Sequence, residues 1–180
     1  MNDLQVRPTT STAHPPALIA ASPADAPRGQ EVLAFRLASE EYAIPLLCVQ
    51  EIRSYQAPTR LAGAQSQWLG VIDLRGEVVP LLDLRRRLGL PAADFDAMTV
   101  IIVVNIAHRC VGVVADQVND VIALDAGQIR AMPALPGIPE QRHMQAMGVV
   151  EQRRLVLLDI QGMLQDDVTT AGAEQLAWAG

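Results

Sequence analysis

The stretch Gly70-Val71-Ile72-Asp73-Leu74-Arg75-Gly76-Glu77-Val78-Val79-Pro80-Leu81-Leu82-Asp83-Leu84 decides the fold. Two apolar runs, 71–74 and 78–82, flank the dipeptide Arg75-Gly76. Glycine takes a positive φ at little steric cost, so the pattern predicts a β-hairpin that turns there. Asp83 then serves as N-cap of a short helix through Leu88, with Gly89 at its stop and Pro91 just beyond. One arginine stands in the turn, beside two runs that are mostly buried. A guanidinium keeps its charge, so Arg75 must be solvated, paired with a carboxylate or used for recognition.

Upstream, Leu33, Phe35 and Leu37 alternate with Ala34 and Arg36, the period of a strand with one buried face. Residues 39–41 turn the chain and 42–44 return it. Residues 46–53 read as a third strand, with Leu47, Val49, Glu51 and Arg53 on one face and Leu46, Cys48, Gln50 and Ile52 on the other. Pro58 and Gly63 mark a loop before Trp68. Downstream, 91–98 is a connecting loop, and 99–106 is almost continuously apolar, as in a strand covered on both faces. A turn at 107–109 leads into strand 110–115, and another strand spans 118–124. Pro133, Pro136, Gly137 and Pro139 make a loop hostile to helix and central strand. Residues 146–150 and 155–159 form a last hairpin about Glu151-Gln152, 160–164 a single helical turn, and 166–180 a tail or weak helix.

Residues 1–30 hold five of the twelve prolines and read as a disordered Pro/Ala/Ser/Thr-rich tail. About ten short strands with regularly spaced turns predict an all-β protein with minor α. Its ordered part, 31–165, divides into two small barrels, approximately 31–90 and 99–165, with no clear sequence repeat between them.

Composition excludes much. The net charge is −6 and aromatics make up 3% of the chain, so neither a phosphate backbone nor single-stranded nucleic acid has a matching surface. The one basic run, Arg85-Arg86-Arg87, reads as a solvated helix face. All fourteen basic residues are arginine, which removes the P-loop lysine and every Schiff-base mechanism. Asp73 through Gly76 matches a GTPase DxxG element by chance, since no GxxxxGK accompanies it. Cys48 and Cys110 read as small buried hydrophobes of a reducing cytosol. His14, His108 and His143 lie at no ligand spacing, so neither metal nor cofactor is assigned. The apolar run 99–106 is far short of a membrane span, and no signal peptide stands at the N-terminus, which predicts a cytoplasmic protein without membrane insertion. Asp83 is better explained as a cap than as half of a catalytic pair, and Asp116 and Asp120 as turn residues. Ser39, Ser54 and Ser66 lack a neighbouring histidine. Met132, Met144 and Met147 read as gap-fillers of the second barrel.

The order and spacing of several segments resemble the CheW family of bacterial chemotaxis. They are Phe35 and Leu37, Glu41-Tyr42-Ala43-Ile44-Pro45, Val49-Gln50-Glu51-Ile52-Arg53, 70–84, 99–104, 111–118 and Leu157-Leu158-Asp159. The resemblance covers roughly 33–164, and it departs at Asp73, where asparagine is common, and at Ala62, where many relatives have proline. It implies two intertwined five-stranded SH3-like barrels without catalytic activity. It further implies a scaffold that joins the cytoplasmic tip of methyl-accepting chemoreceptors to the regulatory domain of the histidine kinase CheA, in membrane-associated arrays. The implied receptor-binding residues are Val49, Glu51, Ile52 and Arg75, while kinase contacts are not implied. Arg75 has a compatible structural role, a clamp onto Glu51 or Asp73. A paralogous adaptor of a twitching-motility or other chemosensory pathway is the alternative.

Overall fold

The computed structural model describes residues 29–133, 137 and 139–172. The tail therefore lies outside the described residues as far as residue 28. Among the described residues there are eleven strands: β1 (Gln30–Leu37), β2 (Glu40–Pro45), β3 (Val49–Ser54), β4 (Trp68–Leu74), β5 (Glu77–Asp83), β6 (Val100–Ile106), β7 (Arg109–Ala115), β8 (Gln117–Leu124), β9 (Ile129–Ala131), β10 (Met144–Val150) and β11 (Arg153–Leu158). Helix α1 (Leu84–Arg87) follows β5, and α2 (Ile160–Gly172) follows β11.

The strands form two sheets, one in the order β8-β1-β2-β11-β10-β9 and one in the order β3-β6-β7-β5-β4. The mostly-β architecture of two intertwined sheets is the expected one. Each sheet takes strands from both halves, and β9 makes one of them six-stranded. The alternation along β1 and β6 explains the layering. Val32 and Ala34 face the interior of the first sheet, while Leu33, Phe35 and Leu37 face the core between the sheets. Likewise Ile101 and Val103 face the interior of the second, while Ile102, Val104 and Ile106 meet β1 in the shared core. All four of Ile101 to Val104 are fully buried, as the apolar run required.

Four two-residue turns close the hairpins, at Ala38-Ser39, Arg75-Gly76, Ala107-His108 and Glu151-Gln152. Every described non-glycine residue with positive φ stands in one of them: Ala38, Arg75, Ala107, His108 and Glu151. Such turns match the twist of the flanking strands and hold without the usual Asn-Gly signature. Gly70 has a different duty. Thr59 bridges to Val71 beside it, and a Cβ on Gly70 would stand 2.1 Å from the Thr59 carbonyl oxygen.

The two halves are related by a repeat that the linear sequence hides. The bulge Val49-Gln50-Glu51 in β3 faces β6, and Val118-Asn119-Asp120 forms the same bulge in β8 against β1. The bulge between Trp68 and Gly70 in β4 recurs between Met144 and Ala146 in β10. Each half ends in an aspartate that caps a helix: Asp83 accepts from the Arg85 and Arg86 amides, and Asp159 from the Gly162 amide. The third strand of each half is exchanged, with β3 pairing with β6 and β8 with β1. The sequence signal is short: Val49-Gln50-Glu51-Ile52 against Val118-Asn119-Asp120-Val121, and Leu81-Leu82-Asp83-Leu84 against Leu157-Leu158-Asp159-Ile160.

Other expectations are corrected. Leu46–Cys48 is a 3-10 turn rather than the start of a strand, because the chain leaves one sheet after Pro45 and must cross to the other. Asp120 lies within β8, not in a turn. Helix α2 runs to Gly172 instead of ending as one turn, because Asp167 is buried against Arg87 of α1. Cys48 and Cys110 are half-buried free thiols rather than core residues.

Candidate functional site

The β4–β5 turn carries Arg75 to the edge strand β3. Its Nη2 donates to Glu51 Oε2 at 2.9 Å, so Arg75 is clamped to Glu51. Asp73 is not its partner; the Asp73 carboxylate closes the turn by accepting the Gly76 amide at 3.1 Å. The Arg75 side chain stays 77% exposed against 22% for Glu51. An ion pair so open to water contributes at most about 1 kcal/mol. Meanwhile the φ of 56° at Arg75 lies where a side chain costs on the order of 1 kcal/mol. Stability therefore does not account for an arginine here. Glu51 Oε1 is buried without a hydrogen-bond partner, so one carboxylate oxygen is left unsatisfied at the same spot.

The bulge at Gln50 overturns the expectation that Val49 and Glu51 share a face. Val49 pairs with Val104, which belongs to the shared core, and Glu51 pairs with Val103, which faces the other way into the second sheet's interior. An extra residue in a strand reverses everything beyond it. Ile52, opposite Ile102, thus lies on the Val49 side, and at 43% exposure it is open to solvent. Leu47, in the 3-10 turn leading into β3, is fully exposed. Val49, Glu51 and Ile52 thus share one edge strand but lie on two of its faces, with Val49 half-buried, and Arg75 joins them from the β4–β5 turn.

The repeat places Asp120 where Glu51 stands, and Arg153 of β11 reaches it. Arg153 donates to Asp120 at 2.8 and 2.9 Å and to Glu41 of β2 at 2.9 and 3.0 Å. Those bonds hold the Glu41 and Asp120 carboxyls below the usual carboxylate range, and the two carboxylates raise the Arg153 guanidinium. This cation is fully committed within the chain.

The arginine run is not a solvated face. A one-turn helix points successive side chains about 100° apart, and each finds a carboxylate. Arg85 meets Asp116, with its Nε 2.6 Å from Oδ1; Arg86 meets Asp83 at 3.1 Å; Arg87 meets Asp167 at 2.9 Å. Sequence reading misses the pairs of Arg85 and Arg87 because their partners, Asp116 and Asp167, lie elsewhere in the chain. Among the described residues no group of three or more His, Cys, Asp or Glu side chains could hold a metal ion, and no helix is long and apolar enough to cross a membrane.

Two interleaved sheets that set an exposed cation and apolar side chains along one open strand define a β-sheet interaction module. Residues 31–168 match the CheW-like domain, and the chain belongs to that family. It is 41% identical over 139 residues to the chemotaxis protein CheW of Klebsiella aerogenes, covering 77% of this chain and 84% of the relative. Against the chemotaxis protein CheW of Bacillus subtilis the identity is 33% over 141 residues, covering 77% and 89%. The scaffolding protein TtCheW of Thermoanaerobacter tengcongensis superposes with a TM-score of 0.70 at 23% identity, covering 75% of this chain and 92% of that one. The chain is a chemotaxis adaptor of the CheW type, and the twitching-motility alternative is not favoured by the names its relatives carry.

Proposed function

We propose that the protein couples methyl-accepting chemoreceptors to the regulatory domain of the histidine kinase CheA, in the cytoplasm at membrane-associated arrays, and catalyses no reaction. The observation that carries this reading is the Arg75–Glu51 pair: a strained, exposed arginine of the β4–β5 turn held by a single bond to the open edge strand β3. An edge strand offers both of its faces at its free side. A receptor helix lying along β3 meets Ile52 and the rim of Val49 on one side, and Glu51 and Arg75 on the other. Apolar area supplies the contact, and the charges supply register. The kinase binds elsewhere on the module, so both partners are held at once and the chain transmits a coupling free energy. Weak contacts repeated across an array then act together.

The test is a pair of titrations on Glu51→Lys, one against the receptor tip and one against the kinase regulatory domain. A loss of about tenfold or more in receptor affinity is expected, with kinase affinity unchanged. Equal losses against both, on a protein with wild-type melting, would show that the edge serves no particular partner.

A further inference from the structure

Helix α2 covers the core between the sheets, burying Ile160, Met163 and Leu164 in it. Its later turns are tied down by charge. Asp167, 6% exposed, receives the Arg87 Nε at 2.9 Å. The same guanidinium reaches His143, 3% exposed, in the 3-10 turn Pro139–His143. Arg87 Nη2 lies 3.0 Å from His143 Nε2, and Arg142 Nε lies 3.0 Å from that same nitrogen. An arginine can only donate, so Nε2 must be the accepting lone pair and the ring must be neutral, with its proton on Nδ1. Asp166 of α2 stands 3.7 Å from Nε2 and 3.5 Å from Arg142, and the Asp159 amide donates to the His143 carbonyl at 2.8 Å.

We propose that His143 is a proton-operated latch: its neutral ring holds Arg87 in the position that pins α2, and protonation releases the helix. A proton on Nε2 removes the acceptor that two guanidinium groups share and sets a third positive charge between them. Against these stand three carboxylates: Asp166 is half-exposed and beyond hydrogen-bond distance, Asp167 is already engaged by Arg87, and Asp159 is engaged by the Gly162 amide. Burial, then Arg87 and Arg142, hold the His143 pKa below its ordinary value. The sign follows. A histidine whose folded pKa is depressed leaves the closed state favoured above the unfolded value of about 6.5, and that advantage is lost as pH falls below it. The helix that comes free uncovers the apolar core both sheets share, which makes cytoplasmic acidification a direct input to the module.

The test is hydrogen exchange of the α2 amides in the full chain between pH 7.5 and 5, corrected for intrinsic exchange. Wild type should lose protection by up to about tenfold for each pH unit below the open-state value of about 6.5, until the depressed pKa of the closed state is reached. His143→Gln keeps a neutral acceptor and should give a flat profile, while His108→Gln in the β6–β7 turn should behave as wild type. Should His143→Gln fail to fold, NMR titration of the wild-type imidazole takes its place, and ring protonation should coincide with shift changes in α2. PH-independent protection in wild type, an unchanged slope in His143→Gln, or a ring that titrates without any response in α2 would each overturn the proposal.

Discussion

The two halves of the chain solve one local problem in opposite ways. In each, a bulged third strand carries a carboxylate at the same position, Glu51 or Asp120, and an arginine from the later hairpin reaches it. Arg153 enters from the start of β11 and is saturated by two carboxylates, so it acts as a structural tie between β2, β8 and β11. Arg75 enters from the turn itself, makes one bond and keeps most of its surface in water. Moving the arginine two positions within a repeated hairpin thus separates a brace from a contact. The repeated architecture supplies two equivalent corners, and only one of them keeps a charge to offer a partner.

The largest effect that tests this contrast is expected at the paired bulges. Gly70→Ala places a Cβ against the Thr59 carbonyl, whereas the equivalent Ala146 already carries one within its own core. Gly70→Ala should cost about 3 kcal/mol or more by denaturant melting, and Ala146→Gly only about 1. Equal losses would mean that the two corners close by the same geometry after all. Next in size, Arg153→Ala strands two carboxylates at a half-exposed site and should cost about 2 kcal/mol, while Arg75→Ala should cost less than about 1. Receptor titration should rank the pair the other way, with Arg75→Ala the weaker binder. If Arg153→Ala proves neutral in stability, it is no brace.

How much of this was legible in the sequence depends on how local each signal is. The Arg75-Gly76 and Glu151-Gln152 turns are legible because apolar runs end on both sides of them. The cap at Asp83 and the buried strand at β6 were equally local. The bulge at Gln50 was not, because an inserted residue leaves the period-two pattern intact on both sides while reversing its sense. That is why the sequence alone puts Val49 and Glu51 on one face. The exchange of β3 and β8 was invisible because either strand suits either sheet, and the repeat shows only in two four-residue matches. The arginine run at 85–87 looked solvated because its carboxylates, Asp116 and Asp167, are far along the chain.

The contrast should also appear in the acid limb of stability. Glu41 and Asp120 have pKa values lowered in the fold by Arg153, so their stabilisation is present above the unfolded values of about 4 and is lost as pH falls through the folded ones. The double variant Glu41→Gln, Asp120→Asn should flatten the decline in stability between pH 5 and 3. An undiminished decline in that double variant would mean that Arg153 is no brace. The smallest effects are expected at Ile52→Ser and its counterpart Val121→Ser, both at exposed positions and each within about 0.5 kcal/mol of wild type in stability. Only the Ile52 change should weaken receptor binding, and a matching loss at Val121 would make the two edges equivalent in use.

The exchange of third strands also sets the order in which the chain can assemble. Strand β1 finds its partner β8 only after some eighty intervening residues have been made, and β2 waits for β11 to lie parallel beside it. On a ribosome, the first hairpin emerges with both flanks open, and its exposed edges must be kept from other chains until the last strand arrives. A topology ruled by such distant pairings folds slowly, over milliseconds to seconds rather than microseconds. Translation speed and chaperone supply therefore bear on how much of this adaptor a cell obtains, independently of how stable the finished fold is.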